Sequence, residues 1–248
     1  MDLDIYCGPA PQPADLWSQW NFDPVLLSIL AASFFLLLTI SEQTRQRQAA
    51  IGAVVIALIA FVSPLCALAS ALFSARVLHH LLLVAVLSPL VVLALPSRMR
   101  GSIAMPAQLS FLAHTGLMWL WHAPGPYLFA LGSPMAYWLM ELSLIGSALW
   151  LWQDILAPRR SVGAALALLL GTTLQMGMLG ALLTFARAPL FVAHLETTQP
   201  YGLQPLADQQ LSGILMWVPA ALPYLLVALV VLVRVFKAQD AERKSVSR

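Results

Sequence analysis

Apolar residues occur in seven long runs along the chain, and short polar or proline-containing connections separate the runs. Each run is close to the ~20 residues that an α-helix needs to cross the hydrocarbon core of a bilayer. The runs are residues 24–40, 49–73, 78–95, 103–121, 136–156, 162–186 and 211–236. The pattern predicts an all-α fold, a polytopic membrane bundle of seven transmembrane helices over residues 24–236. Residues 1–23 precede this bundle as a tail, and residues 237–248 follow it as a basic tail.

The fourth run is the least apolar of the seven. It contains Pro106, Gln108, Ser110 and His114, and polar groups inside a bilayer are costly. Six spans are therefore the main alternative to seven.

The positions of the basic residues predict the orientation. One set of alternate connections, together with the C-terminal end, holds eleven of the thirteen lysines and arginines, and only Arg76 and Arg187 lie in the other set. The eleven are Arg45, Arg47, Arg98, Arg100, Arg159, Arg160, Arg234, Lys237, Arg243, Lys244 and Arg248. Because basic residues concentrate on the cytoplasmic side, this distribution predicts an N-terminus outside the cytoplasm and a C-terminus inside. The alternation requires the fourth span.

Composition agrees with a membrane protein. The chain is 60% hydrophobic and 10% charged, whereas soluble domains are about a quarter charged. A net charge of +2 gives no basic field for nucleic acid. The acidic, proline-rich N-terminus lacks the basic segment of a signal peptide, so we interpret it as a translocated tail. Cys7 in this tail and Cys66 within an apolar run are too few for a disulfide framework, and whether they pair is left open.

Ionisable side chains concentrate at the predicted outer ends of the helices. His79 and His80 begin the third span, His122 ends the fourth, Glu141 lies one turn inside the fifth, and Asp208 precedes the seventh. Imidazoles near a carboxylate are typical ligands of transition metals, so these residues are candidate metal ligands. No local HxxxH, HExxH or CxxC spacing is present. For any one histidine, helix capping or anchoring at the interface is the competing interpretation.

Two other groups of residues have structural interpretations. Methionines near the spans can bind Cu(I), but flexible packing filler explains them better. Gly177 and Gly180 with Ala181 predict close helix packing. We expect Arg76 to reach lipid headgroups rather than an acidic partner.

Several motifs together resemble one family. They run in the order Ser63-Pro-Leu-Cys66, His80-Leu-Leu-Leu, Trp121-His-Ala-Pro124, Gly180-Ala-Leu-Leu-Thr-Phe-Ala186 and Asp208-Gln-Gln-Leu-Ser-Gly213 with Met216-Trp-Val-Pro219. The order and topology resemble the CtaG family of seven-helix bacterial cytochrome c oxidase (caa-type) assembly factors. The Asp-Gln-Gln-Leu-x-Gly-x-x-Met-Trp run is the most specific element.

The resemblance implies a protein that handles copper for the oxidase, with His80, His122, Glu141 and Asp208 as the matching outward-facing polar residues. The sequence departs from the family at three positions. Arg76 replaces a common histidine, His79 replaces a common glutamine, and Leu142 stands where a histidine is common. These departures point to a different ligand set that uses His79 or Cys7, or to a protein without metal.

The leading hypothesis is a non-enzymatic assembly factor of the bacterial plasma (inner) membrane that binds copper at its extracytoplasmic face and delivers it to an oxidase metal centre. Its expected partners are cytochrome c oxidase subunits, membrane lipid and a copper donor protein, with homo-oligomerisation left open. The alternative is a metal-free scaffold for oxidase subunits. Haem held between His80 and His122 is a weaker hypothesis, since no further histidines lie near the cytoplasmic side.

Overall fold

The computed structural model describes residues 5–101, 106–158 and 160–246, and in these ranges the fold is all-α without a strand. The α-helices are α1 Pro24–Ile40, α2 Thr44–Phe61, α3 Leu65–Ala71, α4 Phe73–Leu81, α5 Ser88–Ala94, α6 Ala107–Trp121, α7 Pro124–Ala130, α8 Pro134–Ile155, α9 Val162–Thr184, α10 Pro205–Trp217 and α11 Ala221–Val246. A π-helix, Leu82–Leu87, joins α4 to α5, and the 3-10 helices are Leu16–Ser18, Ser97–Met99, Val192–His194 and Gln199–Tyr201. The all-α prediction is confirmed.

Helices occupy all seven predicted apolar runs, but the number of membrane spans is a separate matter. By length and composition, three described stretches can cross a bilayer: Phe73–Ala94, Val162–Thr184 and Pro205–Asp240. Counting each of two bent helix pairs as one span gives up to five. The membrane character is thus supported, while seven spans and their orientation remain predictions. The start of the fourth run at Ile103, and Arg159 and Arg248 of the basic set, lie outside the described residues.

Prolines account for the breaks in the helical rods. Pro64 separates α2 from α3, which are bent by 41°. The π-helix precedes Pro89. Proline has no backbone N–H to donate, and its ring collides with the backbone carbonyl one turn earlier, so a regular α-helix is interrupted here. Pro219 lies between α10 and α11. Despite the breaks near Pro89 and Pro219, Phe73–Ala94 and Pro205–Asp240 are each one continuous stretch long enough to cross a bilayer.

Helix α8 lies in the core of the bundle. Its buried positions include Tyr137, Glu141, Leu144, Ala148 and Leu151, which are spaced alternately by four and three residues and so share one face. A glutamate on this face cannot reach solvent and must find its partners inside the protein. The main core cluster packs around this face with residues of α4, α6 and α9.

Helices α9 and α10 approach each other through two glycines. A Cβ at Gly213 would lie 2.5 Å from the Gly180 carbonyl oxygen and 2.3 Å from Thr184 Oγ1, and a Cβ at Gly180 would lie 2.7 Å from the Gly213 oxygen. The two backbones are therefore in direct contact. This agrees with the close packing that the sequence predicts around Gly180, and it holds α10 beside the elements of the candidate site.

Candidate metal centre

Helices α4 and α8 bring three candidate ligands together in the core. His79 and His80 lie in the last turn of α4, and Glu141 faces them from α8. The His79 Nδ1 is 3.5 Å from Glu141 Oε1, and the His80 Nε2 is 3.3 Å from the same oxygen. One potential ligand atom from each residue lies within 4.8 Å of the other two. Among the described residues, these three side chains form the group whose ligand atoms lie close enough together to bind one metal ion.

His122 extends this group at the end of α6. Its ring meets the ring of His80 edge to face, with 5.3 Å between the ring centroids. The Nδ1 lies 2.8 Å from the carbonyl oxygen of Met118, so this nitrogen carries the proton and donates it. In a neutral imidazole the Nε2 then carries no proton and has a free lone pair. That nitrogen is buried without a hydrogen-bond partner, and it is the atom through which His122 would bind an ion.

The cluster is poorly satisfied by the protein alone. Both ring nitrogens of His79 and His80, as well as Glu141 Oε2, are buried without a hydrogen-bond partner in the described part of the chain. Buried polar atoms usually have partners, and leaving one unpaired costs about 1–3 kcal/mol. A cation bound by these atoms would remove the deficit. Imidazole nitrogens and a carboxylate suit first-row transition metals such as copper and zinc, so the residues fit a metal of this class.

Arg76 lies in the same cluster, one turn before the histidines on α4. It is fully buried, its Nη1 is 3.4 Å from Glu141 Oε1, and its guanidinium lies 5.3 Å from the centre of the Tyr137 ring. The expectation that Arg76 reaches lipid headgroups is therefore wrong. Local sequence patterns do not reveal this partner, because Arg76 and Glu141 are 65 positions apart. The local pattern shows an arginine at a helix end and nothing of what faces it.

Asp208, a predicted metal ligand, contacts the N-terminus of α4 in the structure. Its carboxylate accepts hydrogen bonds from the backbone N–H groups of Phe73, at 2.7 Å, and Ser74, at 3.3 Å, and from the Ser74 hydroxyl. These donors form the N-terminus of α4, where an anionic acceptor is favoured. The contacts describe a helix cap supplied by α10. Asp208 therefore supports the helix that carries the ligands, and the structure does not bring it into the ligand group.

Cys7 is joined to Cys66 by a disulfide. A disulfide sulfur carries no thiolate, and the thiolate is the form that binds metals, so Cys7 is not a ligand in this structure. The bond instead holds the N-terminal tail near the site. Tyr6 stacks on Tyr137 with 5.3 Å between centroids, and Tyr137 is the ring beneath the Arg76 guanidinium.

Two further histidines lie apart from the ligand group. Tyr127 donates its hydroxyl to His194 Nε2 at 2.7 Å, while His194 Nδ1 lies 3.3 Å from the carbonyl oxygen of Ala71. Burial lowers the pKa of His194 to about 4, because the charged imidazolium is poorly solvated there. His114 contacts Ser147 at 3.1 Å, deeper along α6. Each of these histidines therefore has a hydrogen-bond partner outside the ligand group, while His114 Nε2 is buried without one among the described residues.

A comparison with protein families shows which family the chain is similar to. A family model described as cytochrome c oxidase caa3 assembly factor matches residues 41–238, which is most of the chain and includes every described element from α2 to α10. No curated protein and no solved structure matches the chain.

Proposed function

The chain belongs to the family of cytochrome c oxidase caa3 assembly factors, and from this premise we propose that it binds copper at its outer face and delivers it to a metal centre of the oxidase. The protein acts as a carrier and not as an enzyme. Its cargo ion is held by His79, His80 and Glu141, with His122 as a fourth ligand. Copper donor proteins and oxidase subunits are its partners.

One observation carries this proposal, the buried set of ligand atoms that lack partners. Glu141 provides a negative charge, and the histidines provide neutral imidazole nitrogens, which is the form that binds metals. The site is enclosed by aromatic rings: Phe61 lies edge-on to His79, at 5.2 Å between centroids, and Phe73 lies edge-on to His122, at 6.4 Å. A cluster with this composition, excluded from water, holds an ion without hydrating it.

The proposed orientation places this site towards the extracytoplasmic side of a bacterial plasma membrane, in a bundle of seven spans. The eleven-to-two distribution of basic residues supports it. The Cys7–Cys66 disulfide supports it independently, because such bonds persist in oxidising compartments and are rare in the cytosol. Cys7 lies in the N-terminal tail, which is outside the cytoplasm in this orientation.

A metal-free scaffold is the second candidate, and Arg76 favours it. Its guanidinium already neutralises Glu141, so the carboxylate does not require a metal ion as its counter-charge. A scaffold of this kind holds oxidase subunits during assembly and leaves metal insertion to other proteins.

The test combines metal analysis with oxidase assembly. The purified protein is loaded with Cu(I) under anaerobic reducing conditions or with Cu(II), dialysed, and analysed for bound copper. We expect about one copper per chain in the wild type and its loss in His80→Ala and Glu141→Gln. His114→Gln is the matched control, because His114 is a buried histidine like His80 but lies on α6 outside the ligand group. The same variants are then introduced into a deletion strain, and oxidase activity is measured.

The two candidates give opposite results in that strain. Copper delivery predicts that His80→Ala and Glu141→Gln lose oxidase activity and that added copper partly restores activity to the deletion strain. A scaffold predicts active histidine variants and no rescue by copper. A wild-type protein that retains neither Cu(I) nor Cu(II) contradicts copper delivery.

A further inference from the structure

Arg76 is the unusual member of the cluster, because it adds a permanent positive charge to a group of metal ligands. The pKa of a guanidinium is too high for it to lose its proton in a protein. The side chain is fully buried, and its Nη1 is 3.4 Å from Glu141 Oε1. The same oxygen lies 3.5 Å from His79 Nδ1 and 3.3 Å from His80 Nε2. Any ion held by these three ligands must therefore share Glu141 with the guanidinium.

In the part of the chain that the structure describes, Glu141 is the carboxylate that pairs with the guanidinium. Its Nε and Nη2 are buried without a hydrogen-bond partner among the described residues. Two tyrosines, Tyr127 and Tyr137, also lie beside it. They carry no negative charge, and the face of an aromatic ring attracts a cation only weakly compared with a carboxylate. Because the side chain is enclosed, it cannot turn towards water when an ion binds. Its charge consequently acts on every ion that enters the site.

The net charge of the site depends on the charge of the ion that it holds. Arg76 and Glu141 sum to zero, and the ligating imidazoles are neutral. A monovalent ion leaves the buried site with one net positive charge, and a divalent ion leaves it with two. Burial in a low-dielectric interior makes the second charge much more costly than in water. We propose, resting on the proposed function, that Arg76 makes this site select monovalent copper, Cu(I), over divalent ions such as Zn(II).

The size of the effect follows from Coulomb's law. With an effective dielectric constant of about 20 and a separation of about 6 Å, each additional unit of charge on the ion lowers its affinity about a hundredfold. The repulsion energy between Arg76 and the ion is twice as large for Zn(II) as for Cu(I), because it is proportional to the charge of the ion. Removing the charge should therefore shift the ratio of the two affinities about a hundredfold towards Zn(II).

The experiment measures Cu(I) and Zn(II) affinities of the detergent-purified full-length chain by competition with chromophoric chelators, the first under anaerobic reducing conditions. The variants are Arg76→Gln, which removes the charge, and Arg76→Lys, which retains it. We expect Arg76→Gln to shift the affinity ratio about a hundredfold towards Zn(II), while Arg76→Lys stays within a few-fold of the wild type. A structural role alone would lower both affinities together and leave their ratio unchanged.

The wild type provides a measurement that does not depend on how the variants fold. At equal buffered free-ion concentrations it should take up Cu(I) and exclude Zn(II). Equal occupancy by both ions overturns the proposal, as does an unchanged ratio in a folded Arg76→Gln variant. In both of these cases Cu(I) still binds, so the proposed copper carrier survives. If the wild type binds no Cu(I), both the proposed function and this inference fail.

Discussion

Replacement of Asp208 distinguishes a helix cap from a metal ligand. The Asp208 carboxylate is 1% exposed and accepts three hydrogen bonds from the first turn of α4. In Asp208→Ala all three are lost, and the N–H groups of Phe73 and Ser74 are left buried without an acceptor. A hydrogen bond to a charged group contributes about 1.5–3 kcal/mol, and removing a buried acceptor also leaves the desolvation of its donors uncompensated.

The substitution also removes the free-energy cost of burying the carboxylate, and this partly offsets the stability lost with the three hydrogen bonds. We therefore expect the metal-free Asp208→Ala protein to be less stable by about 3 kcal/mol. For a chain of this size that lowers the midpoint of thermal unfolding by about 6–12 °C. Asp208→Asn keeps one acceptor oxygen and should lose about half as much.

The assay is thermal unfolding of the metal-free protein in detergent, followed by circular dichroism. Glu196→Ala is the matched control, since Glu196 is an exposed carboxylate in the connection before α10; surface substitutions of this kind change stability by less than about 0.5 kcal/mol. A residue whose role is only to bind the metal does not stabilise the metal-free protein. If Asp208→Ala unfolds at the wild-type temperature and has lost its metal, the capping role is refuted.

Three other predictions test the packing, the buried histidine and the tail. Gly213→Ala should lower stability by about 1–3 kcal/mol, because its Cβ would meet the α9 backbone; Gly116→Ala, where a Cβ meets nothing within 4 Å, is the control, and thermal unfolding is the measurement. His194 has a pKa of about 4 in the folded protein against 6.5 when unfolded. Since the unfolded chain binds the proton more tightly, its contribution is present above about pH 6.5 and is lost as the pH falls towards 4. His194→Gln should flatten this slope in a pH series of unfolding midpoints, and an unchanged slope would contradict the assignment. The Cys7→Ser/Cys66→Ser protein should be less stable by about 4 kcal/mol, as expected for a loop of 59 residues; a reductant should destabilise the wild type equally and leave this variant unaffected.

Arg76 and Asp208 show most clearly how charge and position combine in this protein. Arg76 places its positive charge beside Glu141. Asp208 accepts hydrogen bonds from the first turn of α4, the helix that carries Arg76. Both contacts involve α4, whose nine residues also carry His79 and His80. The stability of a single short helix therefore governs the geometry of the whole candidate site.

The sequence by itself determined the features that depend on local composition. Long apolar runs predict the helices, because a segment surrounded by lipid or by other apolar segments must satisfy its backbone hydrogen bonds internally. The motif order from Ser63 to Pro219 identified the family, as the match to residues 41–238 confirms. His79, His80 and Glu141 were recognised as ligand types at one end of the bundle, and the structure brings these three together.

Only the tertiary structure decided which charged groups meet. Arg76 finds Glu141 across 65 positions, and Asp208 finds Phe73 across 135. A local pattern carries no information about such pairs, so the sequence alone predicts that Arg76 reaches lipid headgroups and that Asp208 binds the metal. In a lipid-embedded core the energy of a charge is set by its nearest partner, because no water is present to replace one. The helices follow from the composition of each segment, whereas the chemistry of the site follows from how those segments pack.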